Sequence, residues 1–247
     1  MEWSEPGIII GTRKHGEASV IVEIFTADHG RHLGLVRGGR GRRMRSILQP
    51  GNRVFATWRA RLSDHLGQYQ VEPEQLDAAL YMADPLRLAT LNTLNELVRL
   101  LPERDSHIHL YTAYVQILEF IQGDDSWADE FVHWELLLLQ ELGFGLDLTC
   151  CAATGDVENL IYVSPKSGRA VGAGAGEPYK DKLLPLPQFL IHETHEDPGW
   201  NEVWSGLQLA GYFLTRNVYE PRGINPPESR ERMNRLLAKY YEGRQSR

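Results

Sequence analysis

Cysteine is nearly absent from this chain: Cys150 and Cys151 are the only two, and they are adjacent. Neighbouring residues cannot close an ordinary disulfide, so no disulfide framework is expected. Added to His192 and His195, the two thiols match no standard zinc spacing, and no metal or other cofactor is expected. They read instead as small, reduced, buried side chains. No apolar run approaches the length of a membrane span. The N-terminal MEWSEPGIII puts acids ahead of its apolar residues, unlike a signal peptide, so the expectation is a cytoplasmic protein with no membrane partner. Enzyme signatures are missing too: no Walker motif, no Gly-x-Ser-x-Gly, no His-Glu-x-x-His and no Cys-x-x-Cys. Gly172, Gly174 and Gly176 lack the Lys-Ser or Lys-Thr pair of a phosphate loop. The expectation is a binding protein and not an enzyme. A metal-dependent nuclease with a scattered acidic site, or an adaptor for acidic proteins, is the alternative.

What the chain does have is a local inversion of charge. Its 247 residues carry a formal net charge of −7. Residues 1–62 nevertheless hold eleven Lys or Arg against five Asp or Glu. Within 31–61 there is no acid at all, and Arg31, Arg37, Arg40, Arg42, Arg43, Arg45, Arg53, Arg59 and Arg61 follow one another. A basic part joined to an acidic one points to a polyanion as the partner of the basic part. Its centre is GGRGRRMR, residues 38–45, read as a bendable glycine loop carrying guanidiniums that match phosphate oxygens two at a time. Candidate residues for contacting a nucleic acid or an anionic surface are Arg13, Lys14, Arg31, Arg37, Arg40, Arg42, Arg43, Arg45, Arg59 and Arg61.

Periodicity divides the chain into a β part, 1–80, and a helical part, 81–247. Strands are expected at 7–13, 18–26, 31–37, 52–61 and 67–72, separated by turns such as Asp28-His29-Gly30 and Pro50-Gly51. Five short strands in so few residues fit a small closed barrel better than an open sheet. In the fourth, Val54, Ala56, Trp58 and Ala60 fall on one face, and Phe55, Thr57, Arg59 and Arg61 on the other. The second face suits single-stranded nucleic acid, with Phe55 either a stacking platform or a ring packed under a helix. Helices are expected from Asp84-Pro85 to Pro102, from Ser106 to Gln122, from Ser126 to Gly143, from Trp200 to Tyr219 and from Glu228 to Tyr241. His107, His109 and His133 read as structural. Residues 146–190, rich in glycine and proline, read as an irregular insert with a strand near 160–164. The last helix carries Arg230, Arg232, Arg235 and Lys239, which suit either its own dipole or an acidic peptide.

Several segments in order resemble the bacterial RecO family. They are Gly7-Ile8-Ile9-Ile10, Thr26 with His29-Gly30-Arg31, Val36-Arg37-Gly38-Gly39-Arg40 and Leu48-Gln49-Pro50-Gly51. Glu141-Leu142-Gly143-Phe144, Leu146-Asp147-Leu148, Cys151 to Gly155 and Tyr162-Val163-Ser164-Pro165 follow. The resemblance implies an α+β protein: an N-terminal five-stranded OB-fold β-barrel, then a helical C-terminal domain with a small zinc-finger-like insert. It implies a mediator of DNA repair and homologous recombination in the RecF pathway. Such a protein binds single- and double-stranded DNA, anneals complementary strands, and takes the C-terminal tail of the single-strand binding protein. With RecR it helps load RecA. Some relatives hold zinc in the insert with four cysteines; with Cys150 and Cys151 alone, this insert is expected to be metal-free.

Overall fold

The computed structural model describes residues 1–123, 127–192 and 197–245. Ser126, expected to cap a helix, and His195 lie outside the described residues. Two compact units divide the chain, Met1–Gly123 and Asp124–Arg247.

The first unit is built on five strands: β1 (Glu2–His15), β2 (Ser19–Thr26), β3 (Gly30–Val36), β4 (Arg53–Arg59) and β5 (Gln68–Gln75). They close a barrel in the order β1-β2-β3-β5-β4, the OB-fold arrangement. β1 is twice as long as its apolar centre suggested, because it serves two neighbours. Its first half pairs with β4 and its second with β2, around a bulge between Ile9 and Gly11. The alternation of β4 is as the sequence implies. Val54, Ala56 and Trp58 point into the barrel core with Ile9, Val20, Val22, Ile24, Val36 and Tyr69.

The glycine-arginine segment is not a simple loop. After Gly41 it winds into a short helix, α1 (Arg42–Ile47). Met44, Ile47 and Leu48 pack against the barrel core at helical spacing, and Arg42, Arg43 and Arg45 are left in solvent. Burial of that stripe outweighs the weak propensity of so short a helix. Asn52, almost fully buried, fixes its C-terminal end: Nδ2 donates to the Ser46 and Ile47 carbonyls, and Oδ1 accepts from Ala78 N–H.

Three helices complete this unit: α2 (Ala78–Met82), α3 (Pro85–Val98) and α4 (Ile108–Phe120). Asp84 caps α3 as expected, accepting from Leu86 and Arg87 N–H. Phe25, on the outer face of β2, meets Tyr111 and Tyr114 of α4 edge to face. The α3–α4 connection lies against the barrel. Arg104 N–H donates to the Arg31 carbonyl, and Ser106 Oγ to the Ala27 carbonyl, so Ser106 is a strap and His107 holds the cap position. Gly30 permits this approach: its φ is +58°, and a Cβ there would collide with the Asp105 carbonyl.

The second unit runs α5 (Ala128–Glu141), β6 (Leu160–Val163), β7 (Ala170–Gly172), α6 (Ala173–Gly176), β8 (Leu184–Pro185), α7 (Gly199–Leu214), α8 (Glu220–Arg222) and α9 (Glu228–Gln245). Gly143 ends α5 in a Schellman motif: its N–H donates to the Gln140 carbonyl and that of Phe144 to the Leu139 carbonyl. The insert is a three-stranded sheet, β7-β6-β8. Cys151 is buried there, and its sulfur accepts from Gly172 N–H at 3.2 Å. That bond, with one from Thr154, draws its thiol down to about 7. A π-helical turn, Thr215–Tyr219, separates α7 from α8. Arg230 does not join a basic face of α9. It is largely buried and forks onto Glu135 of α5, at 2.6 and 2.7 Å.

Candidate nucleic-acid interface

Strand register gathers most of the candidate cations at one end of the barrel. Arg13 and Lys14 close β1 opposite Ile21 and Val20, and Val20 in turn pairs with Val36, beside Arg37. The β3–α1 connection folds back onto the β1–β2 turn. Arg40 N–H donates to the Ala18 carbonyl, and its guanidinium to the carbonyls of Gly16 and Glu17 at 3.3 and 2.6 Å. Arg42, Arg43 and Arg45 follow on the outer side of α1. All seven are exposed. Among the described residues, none of them forms an ion pair. Carbonyl bonds leave Arg40 its charge.

Other candidates are placed differently. Arg59 stands at the end of β4 and donates to Glu2 at 2.8 Å. A row of paired residues leads from Arg13 through Ile21, Leu35 and Gln68 to Arg59, so the two lie four strand spacings, roughly 19 Å, apart around the wall. Arg61 is exposed just beyond β4, on the side of Arg59. Arg31 is partly buried, donating to Glu23 at 2.9 Å and to the Leu101 carbonyl at 2.7 Å. Arg53 pairs with Glu119 at 3.0 Å. Phe55 stands outward and more than a third exposed, with Pro6 and Glu72 as its register neighbours.

Three supporting groups were invisible to pattern reading. Arg99, just past α3, reaches the barrel and donates to Glu23 at 2.8 Å and to the Ile10 carbonyl at 2.8 Å. It can lie so close because Gly11 has no side chain; a Cβ there would fall 2.1 Å from Arg99 Nη2. Arg104 sits over the Trp58 ring and donates to the Ser63 and His65 carbonyls. His32 is buried among Trp3, Trp58 and Tyr69. Burial first, and the charge of Arg104 second, pull its pKa down to about 4. A glycine at a bulge and an arginine at a helix end are the only traces of this framework in the sequence.

Comparison with known proteins bears directly on this arrangement. The family model described as Recombination protein O N terminal matches residues 1–75, and Recombination protein O C terminal matches residues 82–225. The chain belongs to the RecO family. It is 52% identical over 236 residues to the DNA repair protein RecO of Methylobacterium nodulans, covering 94% of this chain and 96% of that one. It is 49% identical over 248 residues to that of Mesorhizobium japonicum, covering 100% and 97%. To that of Rhodopseudomonas palustris it is 51% identical over 233 residues, covering 94% of each. The OB-fold barrel followed by helices is thus the RecO arrangement, and this RecO-family chain has a role in DNA repair and recombination. Among the described residues, no helix is long and apolar enough to cross a membrane.

Proposed function

We propose that this RecO chain is a non-enzymatic recombination mediator. In this reading it binds single- and double-stranded DNA across the basic end of its barrel and anneals complementary strands. With RecR it helps load RecA onto DNA coated by the single-strand binding protein, whose acidic C-terminal tail it takes. The carrying observation is the set of seven exposed cations that have no acid partner among the described residues: Arg13, Lys14, Arg37, Arg40, Arg42, Arg43 and Arg45. The chemistry needs no bond made or broken. Guanidiniums replace the counterions of two strands, lowering their repulsion while the bases find each other. Because phosphates carry no sequence information, such binding is indifferent to sequence. Arg59 and Arg61 are assigned to a secondary path along β4. The insert holds itself by packing and by the Cys151 hydrogen bonds, and is assigned no zinc.

A salt series with labelled single strands tests the reading. With about four phosphates contacted, log K falls against log salt with a slope of about −3. Reversing Arg40, Arg42 and Arg43 to Glu abolishes most of that slope and weakens all sequences alike. Affinity that is the same at low and high salt overturns the proposal.

A further inference from the structure

Beside the basic end, the outer face of β2 carries a groove of about 320 Å³ walled by β1 and β3. Its floor is apolar: Ile21, buried but for 6% of its surface, and half-buried Leu33. Residues 11–13 of β1 form one wall, with the Arg13 side chain on the groove side. The far end is closed by Glu23 held between Arg31 and Arg99, at 2.9 and 2.8 Å. Three guanidiniums against one carboxylate leave the groove with a net positive charge. Arg31 spends Nε and Nη1 on Leu101 and Glu23, and Arg99 spends Nε and Nη2 on Glu23 and Ile10. Among the described residues, Nη2 of Arg31 and Nη1 of Arg99 have no protein acceptor.

We infer that this groove seats the base of one unstacked nucleotide, with the adjoining phosphate on Arg13, so that the site favours single strands over duplex. The inference rests on the DNA-binding reading above and adds a subsite to it. A phosphate alone would waste the apolar floor, whereas a base can lay one flat apolar face across Ile21 and Leu33. A base edge sets donors beside acceptors. The groove end answers with spare guanidinium N–H groups beside the remaining lone pairs of Glu23. The volume is at the small end of ligand clefts, about 300–1,000 Å³. A base within a duplex has its edge already paired and must be flipped out to enter, which costs a few kcal/mol. Arg99 is therefore a DNA-binding residue contributed by a helix that follows the barrel in sequence.

The test is fluorescence anisotropy on the full chain with three probes: a labelled single strand, the same backbone without bases, and a duplex. Wild type should bind the base-bearing strand about fivefold or more tighter than the abasic one, the low end of what one stacked base contributes. Leu33→Trp fills the groove and, independently, Leu33→Ser removes half of its apolar floor, and each should erase that difference while leaving abasic and duplex affinities unchanged. Thermal melts identify a variant that has merely unfolded, and the other variant then carries the test. Equal wild-type affinity for base-bearing and abasic strands, both salt-dependent, overturns the groove and leaves the mediator reading standing. Failure to bind any of the three probes overturns that reading, and the groove with it. An acidic peptide that displaces the strand from wild type and is itself lost with Leu33→Trp gives the groove to a protein partner and overturns the inference.

Discussion

Arg59 donates to Glu2 across the β1–β4 ladder, whereas Arg42 and Arg43 meet no acid among the described residues. A phosphate approaching Arg59 must compete with a carboxylate already in place. Arg42→Ala should therefore reduce the salt slope for single-stranded DNA by about 0.7, one phosphate's worth, and Arg59→Ala by clearly less. Anisotropy titrations at several salt concentrations compare the two. His32 makes a prediction of a different kind. Folded, it stays neutral down to about pH 4, whereas an unfolded chain protonates it near 6.5. The unfolded state thus holds the extra proton between those values. The stability due to neutral His32 is complete above about pH 6.5 and is lost as pH falls toward 4, by up to about 3 kcal/mol. Urea unfolding of wild type and His32→Gln at pH 7.5 and 5 measures it; the variant should show the flatter dependence.

At the scale of elements, the position of α1 depends on one amide. Asn52 satisfies two carbonyls at the end of that helix and the first N–H of α2. Asn52→Ala leaves all three to find water in a buried place, and should cost about 2–4 kcal/mol of stability, read from a lowered urea midpoint. It should also weaken DNA binding, since Arg42, Arg43 and Arg45 ride on the helix it releases. In the second unit, Glu135 is fully buried against Arg230, which also donates to the Leu207 carbonyl at 2.7 Å. Glu135→Gln alone leaves a buried guanidinium unpaired and should cost about 3–5 kcal/mol, whereas replacing both partners by leucine should cost far less. Chemical denaturation of the two variants separates these outcomes.

Over the whole chain, the barrel is finished by residues far beyond its last strand. Phe25 is covered by Tyr111 and Tyr114, Glu23 is paired by Arg99, and the Arg31 carbonyl is taken by Arg104. A fragment ending at residue 123 should fold cooperatively and retain salt-dependent DNA binding. One ending at residue 80 should melt lower or not fold, because it exposes Phe25 and leaves Glu23 without one of its guanidiniums. Circular-dichroism melts and a gel-shift salt series on both fragments decide it.

Much of this arrangement is legible along the chain, because it is written in neighbouring residues. Alternation in β4, the turn at Asp28-His29-Gly30, the Asp84-Pro85 start of α3 and the concentration of arginine before residue 62 all depend on short spacings. Residues 42–47 read as loop because their apolar stripe, Met44, Ile47 and Leu48, is short and needs the open barrel end to bury it. The charge of the first 62 residues is settled by composition. Which guanidiniums remain available for phosphates is settled only by the fold: Arg31 and Arg99 find Glu23 from 8 and 76 residues away, and Arg59 finds Glu2 from 57. An ion pair is made by distance in space, and a count along the chain cannot say which charges it will remove.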